Sequence, residues 1–460
     1  MSASKISWRE ISAGKWARDF DPIEKTQNHL SLASPSMLQL AITVGATLPE
    51  SEVIGDIKDA WIGLRYAHPM IGCTITTTGL EYEVPNAEEL QKWADETVIY
   101  DNSGRSGKDL LLEKVWANAP AARLFFMPDR REIVIVLRHD MTDGMGSLIL
   151  LNRLIKILRQ EKDVPRFGDE PTRLTPSLSE IMHAENPSID ATKEAHLVKE
   201  NFTKLRAMSL KTNPNQSNML GNLPNYVHEF SEEETSTILK ACKERGITII
   251  NVSNAAMAKT LLELSGEESG RFCSIGAVNL RDVLPAPYNT PERGVGNLSI
   301  PTFPAFPVTT SSNFLELARR VEGLHSYWKY KKNAIECIGA LPELVEEGFT
   351  TAVKNGITVP SIVAVISLGI IEKYLSEPVQ DFLFNIRFAM STCAMYVYTS
   401  GSRLKFLLCY NSGFHEKQSI KVLVDTAAVD TSGKSIRFRG YNDVISQTRI
   451  NAVATQVSVA

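Results

Sequence analysis

The stretch from Ile133 to Leu158 constrains the fold more than any other part of the chain. It begins with a β-branched apolar run, Ile133 to Leu137, which predicts a buried strand. Asp, Thr and Gly residues between 140 and 146 then interrupt the run, and these residue types favour a turn. From Leu148 to Leu158 apolar residues recur at spacings of three and four, which predicts an amphipathic helix. The stretch therefore predicts a strand, a short turn and a helix.

The turn carries a His-x-x-x-Asp-Gly motif, His139-Asp-Met-Thr-Asp143-Gly144. Loops that follow buried strands often hold reactive side chains, because the rigid elements on either side position them. A histidine with no nucleophile in its own motif suits general base chemistry. It can take the proton of an alcohol or amine that attacks a carbonyl, and then return that proton to the leaving group. Alternatively, His139 is a core or capping histidine at the end of a strand.

Motifs of several other enzyme classes are absent from the sequence. There is no Gly-x-Ser-x-Gly, no His-Glu-x-x-His and no complete phosphate-binding loop, since Gly433-Lys434-Ser435 lacks the upstream glycine. Gly294 and Gly296 lack the third glycine of a dinucleotide fingerprint. Spacings typical of metal ligands are also missing. We therefore expect neither a metal nor a permanently bound cofactor.

The length of the chain predicts two large lobes, because 460 residues are too many for one hydrophobic core. We expect an N-terminal lobe over residues 1–162, which carries the His139 motif, and a C-terminal lobe over 226–460. Between them, residues 163–225 are rich in proline and polar residues and predict a crossover linker. The fold class expected from the mixture of strands and helices is α/β.

Charge, apolar runs and cysteines indicate the surroundings in which the protein works. A net charge of −4 gives no reason to expect a nucleic acid partner. The longest apolar run, Ile362 to Ile371, falls far short of the roughly 20 residues that a membrane span needs. The first ten residues lack the apolar segment of a secretory signal. Six scattered cysteines without Cys-x-x-Cys suggest reduced core residues. We expect a cytoplasmic monomer that binds no membrane.

The remaining patterns predict further strands and helices. A capping box, Ser231 followed by Glu234, marks the start of one helix. After Arg281 a proline-rich segment that extends to Pro307 predicts a long irregular loop. The predicted strands cover residues 37–48, 71–77, 80–84, 122–127, 226–230, 273–280, 361–369, 394–399 and 404–410, and the other predicted helices cover 51–66, 191–209, 248–264, 314–330 and 419–430.

The strand, the His139 motif and the helix resemble the active-site element of the CoA-dependent acyltransferase superfamily. This superfamily includes plant BAHD enzymes, alcohol acetyltransferases and the condensation domains of nonribosomal peptide synthetases. The resemblance covers roughly residues 30 to 430 and is greatest to the fungal stand-alone O-acetyltransferases of secondary metabolism, such as the trichothecene 15-O-acetyltransferases. The other matching segments, in the expected order, are Ala60-Trp61 to His68-Pro69, Gly246 to Ala258, Val278 to Arg281 and Gly296-Asn297.

This resemblance implies a two-lobe, chloramphenicol-acetyltransferase-like fold with mixed sheets, flanking helices and a tunnel between the lobes. His139 would lie in the tunnel, with the thioester and the acceptor entering from opposite faces. In the family the motif Asp pairs with an Arg of the second lobe, which here implies Asp143 with Arg281, supported by Asn297. A bidentate Arg would lock the loop that holds the histidine. Gly144 would let the chain turn tightly beside the thioester. Alternatively, Arg281 is a surface charge at a strand end.

Some residues depart from the family pattern. The Asp-Phe-Gly-Trp-Gly of plant members is absent, and Val365-Ile-Ser367-Leu-Gly369 resembles the Ser-Asn-Leu-Gly of alcohol acetyltransferases. Ser367 is a candidate oxyanion donor, or a polar residue that ends a buried strand. Condensation domains usually have two consecutive His, whereas Arg138 precedes His139 here. The candidate contacts for the CoA phosphates are Lys329, Lys331 and Lys332, which a solvated helix end explains equally well.

Together these features predict an acyltransferase that moves an acetyl or short acyl group from acyl-CoA to a hydroxyl or amine. The acceptor would be a hydrophobic secondary metabolite, and acyl-CoA would be a co-substrate. One alternative is a condensation-like enzyme that takes its acyl group from a carrier-protein thioester. A second alternative is a metabolite-binding or cyclase-type scaffold that transfers nothing.

Overall fold

The computed structural model of the chain describes residues 6–32, 41–51, 54–111, 121–160, 165–184, 188–203, 207–212, 221–330, 336–337, 361–387 and 391–432. In the first half of the chain, the strands are β1 (Arg9–Ser12), β2 (Lys15–Asp19), β3 (Ala41–Thr47), β4 (Thr74–Ile75), β5 (Gly79–Glu83), β6 (Val98–Tyr100), β7 (Ala122–Met127) and β8 (Glu132–Arg138). The helices are α1 (Pro22–Leu32), α2 (Ile57–Ala67), α3 (Ala87–Thr97), α4 (Gly107–Leu111), α5 (Gly144–Leu158), α6 (Leu178–Ile181) and α7 (Ile189–Thr203).

The second half of the chain continues the alternation of strands and helices. Its strands are β9 (Asn225–Glu229), β10 (Ser269–Cys273), β11 (Gly276–Asn279), β12 (Ser299–Thr302), β13 (Ala305–Thr309), β14 (Val363–Ile370), β15 (Asp381–Arg387), β16 (Cys393–Ser400) and β17 (Arg403–Cys409). Its helices are α8 (Glu232–Glu244), α9 (Ile249–Ser265), α10 (Phe314–Tyr330) and α11 (Lys417–Ser432).

The sheet that delivers the chain to His139 has the strand order β15-β3-β8-β7-β6. On β8, Ile133, Ile135 and Leu137 pack into the same core cluster as helices α2 and α5. Val134 and Val136 point to the opposite face and are buried in a second cluster. Because both faces of β8 are covered, the strand is apolar at consecutive positions, which explains the uninterrupted run in the sequence.

Strand β15 comes from the second half of the chain but belongs to this first-lobe sheet. It pairs antiparallel with β3, and Phe384 lies opposite Val44. The segment predicted as the C-terminal lobe, 226–460, therefore supplies an edge strand to the other lobe.

The second lobe is built on the sheet β14-β16-β17-β9. On one face, Val365, Met395 and Phe406 pack with helices α8, α9 and α11. On the other face, Tyr396 and Leu407 join the core cluster of the first lobe. Since successive side chains of a strand alternate between faces, one sheet serves both the core of its own lobe and the contact between lobes.

Many of the predicted elements are confirmed. Strands β7, β8, β9, β14, β16 and β17 and helices α5, α8, α9, α10 and α11 lie where the patterns placed them, within a few residues. The capping box of Ser231 and Glu234 is formed at the start of α8. All six cysteines are buried and unpaired. Two stretches lie outside the described residues. One is 37–40, at the start of the strand predicted over 37–48, and the other is 204–206, near the end of the helix predicted over 191–209.

The segment around Arg281 was predicted wrongly. The expected strand over 273–280 is interrupted, so β10 and β11 are separate strands, and the expected irregular loop contains β12 and β13. Pro301 and Pro307 lie inside these strands, opposite Ala277 and Arg271. Each pair forms a two-stranded sheet, in which a proline is tolerated on an open edge. Because of these prolines, the sequence pattern did not predict β12 and β13.

Two helical segments also differ from the predictions. Helix α2 starts at Ile57 rather than near residue 51, because the side chain of Asp56 caps its first turn. Helix α3 was not predicted, although Asn86 and Glu89 form a capping box at its start. Within the described parts of the chain, no helix has both the length and the apolar character needed to cross a bilayer.

Candidate active site

His139 is the first residue of the turn between β8 and α5. Its side chain is half-buried, and Nδ1 is shielded from solvent without a hydrogen bond to any described residue. Burial lowers the pKa of His139 below its ordinary value, although backbone carbonyls of the turn and the carboxylates of Asp143 and Asp140 oppose this shift. The imidazole is therefore neutral near pH 7, which is the form that accepts a proton.

Asp143 caps α5 and is almost fully buried. Its Oδ1 accepts a hydrogen bond from Gly146 N–H at 2.8 Å, and its Oδ2 accepts from Leu298 N–H at 3.0 Å and from the Ser299 hydroxyl at 2.7 Å. Burial alone would raise the pKa of Asp143, but the charge of Arg281 and these hydrogen bonds outweigh it and hold the pKa below its ordinary value. The carboxylate is therefore ionised.

Arg281, just beyond the end of β11, binds Asp143 with both ends of its guanidinium. The Nη1–Oδ2 distance is 3.0 Å and the Nη2–Oδ1 distance is 2.9 Å. Arg281 is 5% exposed and Asp143 is 3% exposed, so the charge is not at the surface. The other donors of the guanidinium bind the carbonyls of Gly294 (2.8 Å) and Gly296 (3.2 Å) and the side-chain oxygen of Asn279 (3.1 Å). The five N–H groups of Arg281 thus have five acceptors.

Asn297 holds the other end of the turn. Its Nδ2 donates to the backbone carbonyl of His139 at 3.1 Å and also to the side chain of Gln27. One residue earlier, the carbonyl of Gly296 accepts from the N–H of Asp143 at 3.3 Å. The loop after Arg281 therefore contacts both ends of the turn that carries the histidine.

Helix α1 supports the turn from the N-terminal side, and sequence reasoning gave it no role. Besides Gln27, Asn28 of this helix donates to Asp140 at 3.1 Å, and Asp140 also accepts from Arg138 Nε at 3.1 Å. A capping box that starts α1 was visible in the sequence: Glu24 N–H donates to Asp21, and Asp21 N–H donates back to Glu24, each at 3.0 Å.

Two glycines in the first turn of α5 are closely packed. Gly144 opens α5 with an ordinary helical backbone, so the predicted tight bend at this residue is not observed. A Cβ at Gly144 would lie 3.1 Å from Leu368 Cδ2, whereas a Cβ at Gly146 would lie 2.2 Å from Thr142 Oγ1. Gly146, which sequence reasoning missed, is therefore the more restricted position.

Among the described residues, no contact links Ser367 to the His139 turn. It pairs with Val397, whose side chain belongs to the core of the second lobe, and its Oγ accepts from Gly369 N–H at 3.1 Å. The neighbouring Leu368 lies near Gly144, as does Phe384. The role of Ser367 as an oxyanion donor stays a prediction, with its side chain on the face opposite Leu368.

Lys329 lies in an ion pair with Asp282 at 2.9 Å. Lys331 and Lys332 lie outside the described residues. The predicted phosphate contact of these lysines stays a prediction.

The sequence and the fold of this chain are similar to those of several known proteins. The chain is 23% identical to the O-acetyltransferase pigM of Monascus ruber over 442 residues, which cover 91% of this chain and 85% of that protein. The structure matches TRI3 trichothecene 15-O-acetyltransferase from Fusarium sporotrichioides with a TM-score of 0.75 and 16% identity, covering 93% of this chain and 97% of that chain. It also matches the EpoB cyclization-docking bidomain of a nonribosomal peptide synthetase from Sorangium cellulosum, with a TM-score of 0.65 and 13% identity, covering 91% and 85%. No model of a known protein family matches the chain.

These similarities confirm the predicted resemblance and the predicted α/β fold class. The fold is shared with a trichothecene acetyltransferase and with a nonribosomal peptide synthetase domain, as the resemblance implied. The sequence similarity to a protein named as an O-acetyltransferase extends over most of the chain.

Replacing Asp143 by Asn should destabilise the protein and abolish most activity. The amide cannot satisfy a buried guanidinium, and breaking one side of a buried ion pair typically costs about 3–5 kcal/mol. Equilibrium urea unfolding measures the loss. The control is Asp95→Asn, which breaks an exposed pair with Lys58 and should cost much less stability, because solvent screens such pairs. Equal losses in the two variants would contradict the special role of Asp143.

Replacing Gly146 by Ala should lower activity and stability more than replacing Gly144 by Ala. The new methyl group at 146 collides with Thr142 Oγ1, a group that is buried and makes no hydrogen bond to any described residue. Thr142→Ala should therefore restore part of the loss when combined with Gly146→Ala. The free energies of unfolding of the two single variants and the double variant test this coupling. If the losses in free energy of unfolding of the two single variants simply add up in the double variant, the methyl group at 146 does not collide with Thr142.

Proposed function

We propose that this acyltransferase moves an acetyl or other short acyl group from acyl-CoA to a hydroxyl, or an amine, of a hydrophobic secondary metabolite. The observation that carries the proposal is a neutral, half-buried imidazole on a turn that a buried Asp–Arg pair fixes in place. The names of pigM and TRI3 describe O-acetyl transfer, and that of TRI3 a trichothecene, which supports this class of reaction and acceptor. Acyl-CoA is a co-substrate in this proposal, and no permanently bound cofactor takes part.

His139 acts as the general base. Because Nδ1 is shielded from solvent, proton exchange with the acceptor takes place at Nε2. As Nε2 removes the proton of the acceptor hydroxyl, the oxygen attacks the thioester carbonyl carbon and a tetrahedral intermediate forms. When the intermediate collapses, the carbon–sulfur bond breaks, and the imidazolium returns the proton to the thiolate. The products are the ester and free CoA thiol.

Asp143 has a positioning role in this mechanism. Its two oxygens accept hydrogen bonds from Arg281, Gly146, Leu298 and Ser299, so they are occupied by structural partners. A carboxylate that is committed in this way holds the turn and adds a negative charge near the histidine, but it does not relay the proton. The charge opposes the effect of burial on the pKa of His139.

A carrier-protein thioester is the second candidate donor. The similarity of the fold to the EpoB cyclization-docking bidomain supports it, because that protein is part of a nonribosomal peptide synthetase. The chemistry at His139 is the same for both donors, so activity with free acetyl-CoA distinguishes them. The acetyltransferase names among the relatives count against a scaffold that transfers nothing. The monomeric state and the cytoplasmic location stay predictions.

Replacing His139 by Ala should reduce kcat by about 10²–10⁴, the usual contribution of a general base. The melting temperature should change little, since the side chain is only half-buried and Ala keeps the backbone carbonyl that Asn297 binds. The assay follows thiol release from acetyl-CoA in the presence of a panel of hydrophobic alcohols. The control, His196→Ala, changes an exposed histidine on α7 and should retain full activity. Undiminished turnover by His139→Ala would remove His139 from the mechanism.

The pH dependence of kcat/KM should report the lowered pKa of His139. Only the neutral imidazole accepts a proton, so activity falls as the pH drops through the pKa of this group. Burial favours the neutral form, and the acidic limb should therefore have its midpoint below the ordinary value of 6.5. A pH profile of thiol release by the wild-type enzyme measures the midpoint. A midpoint above 6.5 would show that the nearby carboxylates, and not burial, control the imidazole.

A further inference from the structure

Two arginines from separate parts of the chain meet beside the last turn of helix α2. Arg173 ends the short turn Glu170–Arg173, and its guanidinium lies over the ring of Tyr66, 4.2 Å from the ring centroid. Its Nε donates to the carbonyl of Tyr66 at 3.1 Å. Arg293, in the loop between β11 and β12, donates to the carbonyl of Thr172 at 2.5 Å. Since Thr172 and Arg173 are adjacent in sequence, the two arginines lie close together.

Helix α5 brings a third arginine to the same place. A Cβ at Gly294 would lie 3.5 Å from Ile149 Cδ1, so the loop residue that follows Arg293 packs against α5 at Ile149. Arg153 lies one helical turn beyond Ile149, on the same side of the helix. We call the three arginines, together with His68 at the end of α2, the Arg153 cluster.

The Arg153 cluster carries more positive charge than its neighbours neutralise. Asp169 binds Arg173 through both carboxylate oxygens, at 2.9 and 3.3 Å. Among the described residues, no carboxylate pairs with Arg153 or with Arg293. Arg153 is exposed and Arg293 is half-buried, so a ligand from solvent can reach both guanidinium groups. A guanidinium presents its donors in a planar fork, which suits the oxygens of a carboxylate or a phosphate.

His68 adds a neutral polar group to the Arg153 cluster. It is 6% exposed, and its ring nitrogens make no hydrogen bond to any described residue. Burial, together with the charges of the three arginines, lowers the pKa of His68 to about 3. The imidazole is therefore neutral at physiological pH and has one N–H to donate. Buried polar groups of native proteins are nearly always hydrogen-bonded, so this unpaired imidazole is a second indication of a ligand.

The Arg153 cluster lies away from the His139 turn but touches the loop that supports it. Arg153 follows Gly144 by nine residues of α5, which is about 14 Å at 1.5 Å per residue. This distance excludes the cluster from proton transfer. However, the carbonyl of Gly294, the residue after Arg293, accepts from Arg281 Nε at 2.8 Å. An anion bound by the cluster would therefore hold this loop against α5.

We propose that the Arg153 cluster binds a phosphate group. Arg153 and Arg293 donate to its oxygens through their guanidinium groups, and the His68 N–H donates a further hydrogen bond. Phosphate fits better than carboxylate, because its tetrahedral oxygens accept donors that arrive from α2, α5 and a loop. The phosphate belongs either to a CoA molecule or to an independent phosphate ligand. The inference stands apart from the proposed function, since inorganic phosphate alone can test it.

Calorimetric titration with inorganic phosphate, adenosine 3′,5′-bisphosphate and CoA tests the cluster. The variants are Arg153→Gln and Arg293→Gln, which each remove a guanidinium that has no carboxylate partner among the described residues, so both should keep the wild-type melting temperature. We expect each variant to bind phosphate ligands about tenfold more weakly than the wild type, the effect of losing charge-assisted hydrogen bonds. The control, Arg319→Gln, makes the same change at an exposed position of α10 and should bind like the wild type.

Each outcome supports or overturns the phosphate site. If both cluster variants weaken inorganic phosphate, the ligand is an independent phosphate. If they weaken only CoA and the bisphosphate, the site belongs to the CoA nucleotide. The inference is wrong if no phosphate ligand binds at millimolar concentration, or if Arg319→Gln weakens binding as much as the cluster variants do. It is also wrong if CoA binds equally well to the wild type and to both cluster variants, in which case CoA remains the proposed donor.

Discussion

The buried ion pair between Asp143 and Arg281 is the interaction on which the site depends. Removing two charges from water is costly, and such a pair contributes to a defined structure only when its remaining hydrogen-bonding groups are satisfied. Here the guanidinium has an acceptor for each N–H, and the carboxylate accepts five hydrogen bonds. The partners come from α5, from the end of β11 and from the segment 294–299, which ends at the first residue of β12. One pair therefore fixes the relative positions of segments that are far apart in sequence.

The position of His139 follows from this pair and from two further supports. Asn297 holds its backbone carbonyl, and α1 contacts the same turn through Gln27 and Asn28. The imidazole itself is left without a structural hydrogen bond at Nδ1. With Nδ1 turned towards the backbone carbonyls of the turn, Nε2 is the nitrogen that can accept and release a proton, while the backbone that supports the ring stays fixed. Opposite the turn, Leu368 of the second lobe packs against Gly144.

The strand, turn and helix around His139 could be predicted because their signals are local. Apolar periodicity marked β8 and α5, and the pairing of Asp143 with Arg281 was implied by resemblance to known acyltransferases. Strand β15 could not be found in this way, since its partner β3 lies more than three hundred residues earlier and register is set by long-range pairing. Prolines 301 and 307 concealed β12 and β13, because a proline is usually a strand breaker. Gly146 was overlooked because its restriction comes from Thr142 packing across the turn.

A crystal structure of the protein with bound CoA would test the catalytic role of the His139 turn. The CoA sulfur should lie within roughly 3–4 Å of the His139 imidazole, the separation that reacting groups require. Asp143 and Arg281 should remain paired behind the turn. A CoA molecule whose thiol lies remote from His139 would contradict the assignment of this turn as the catalytic centre.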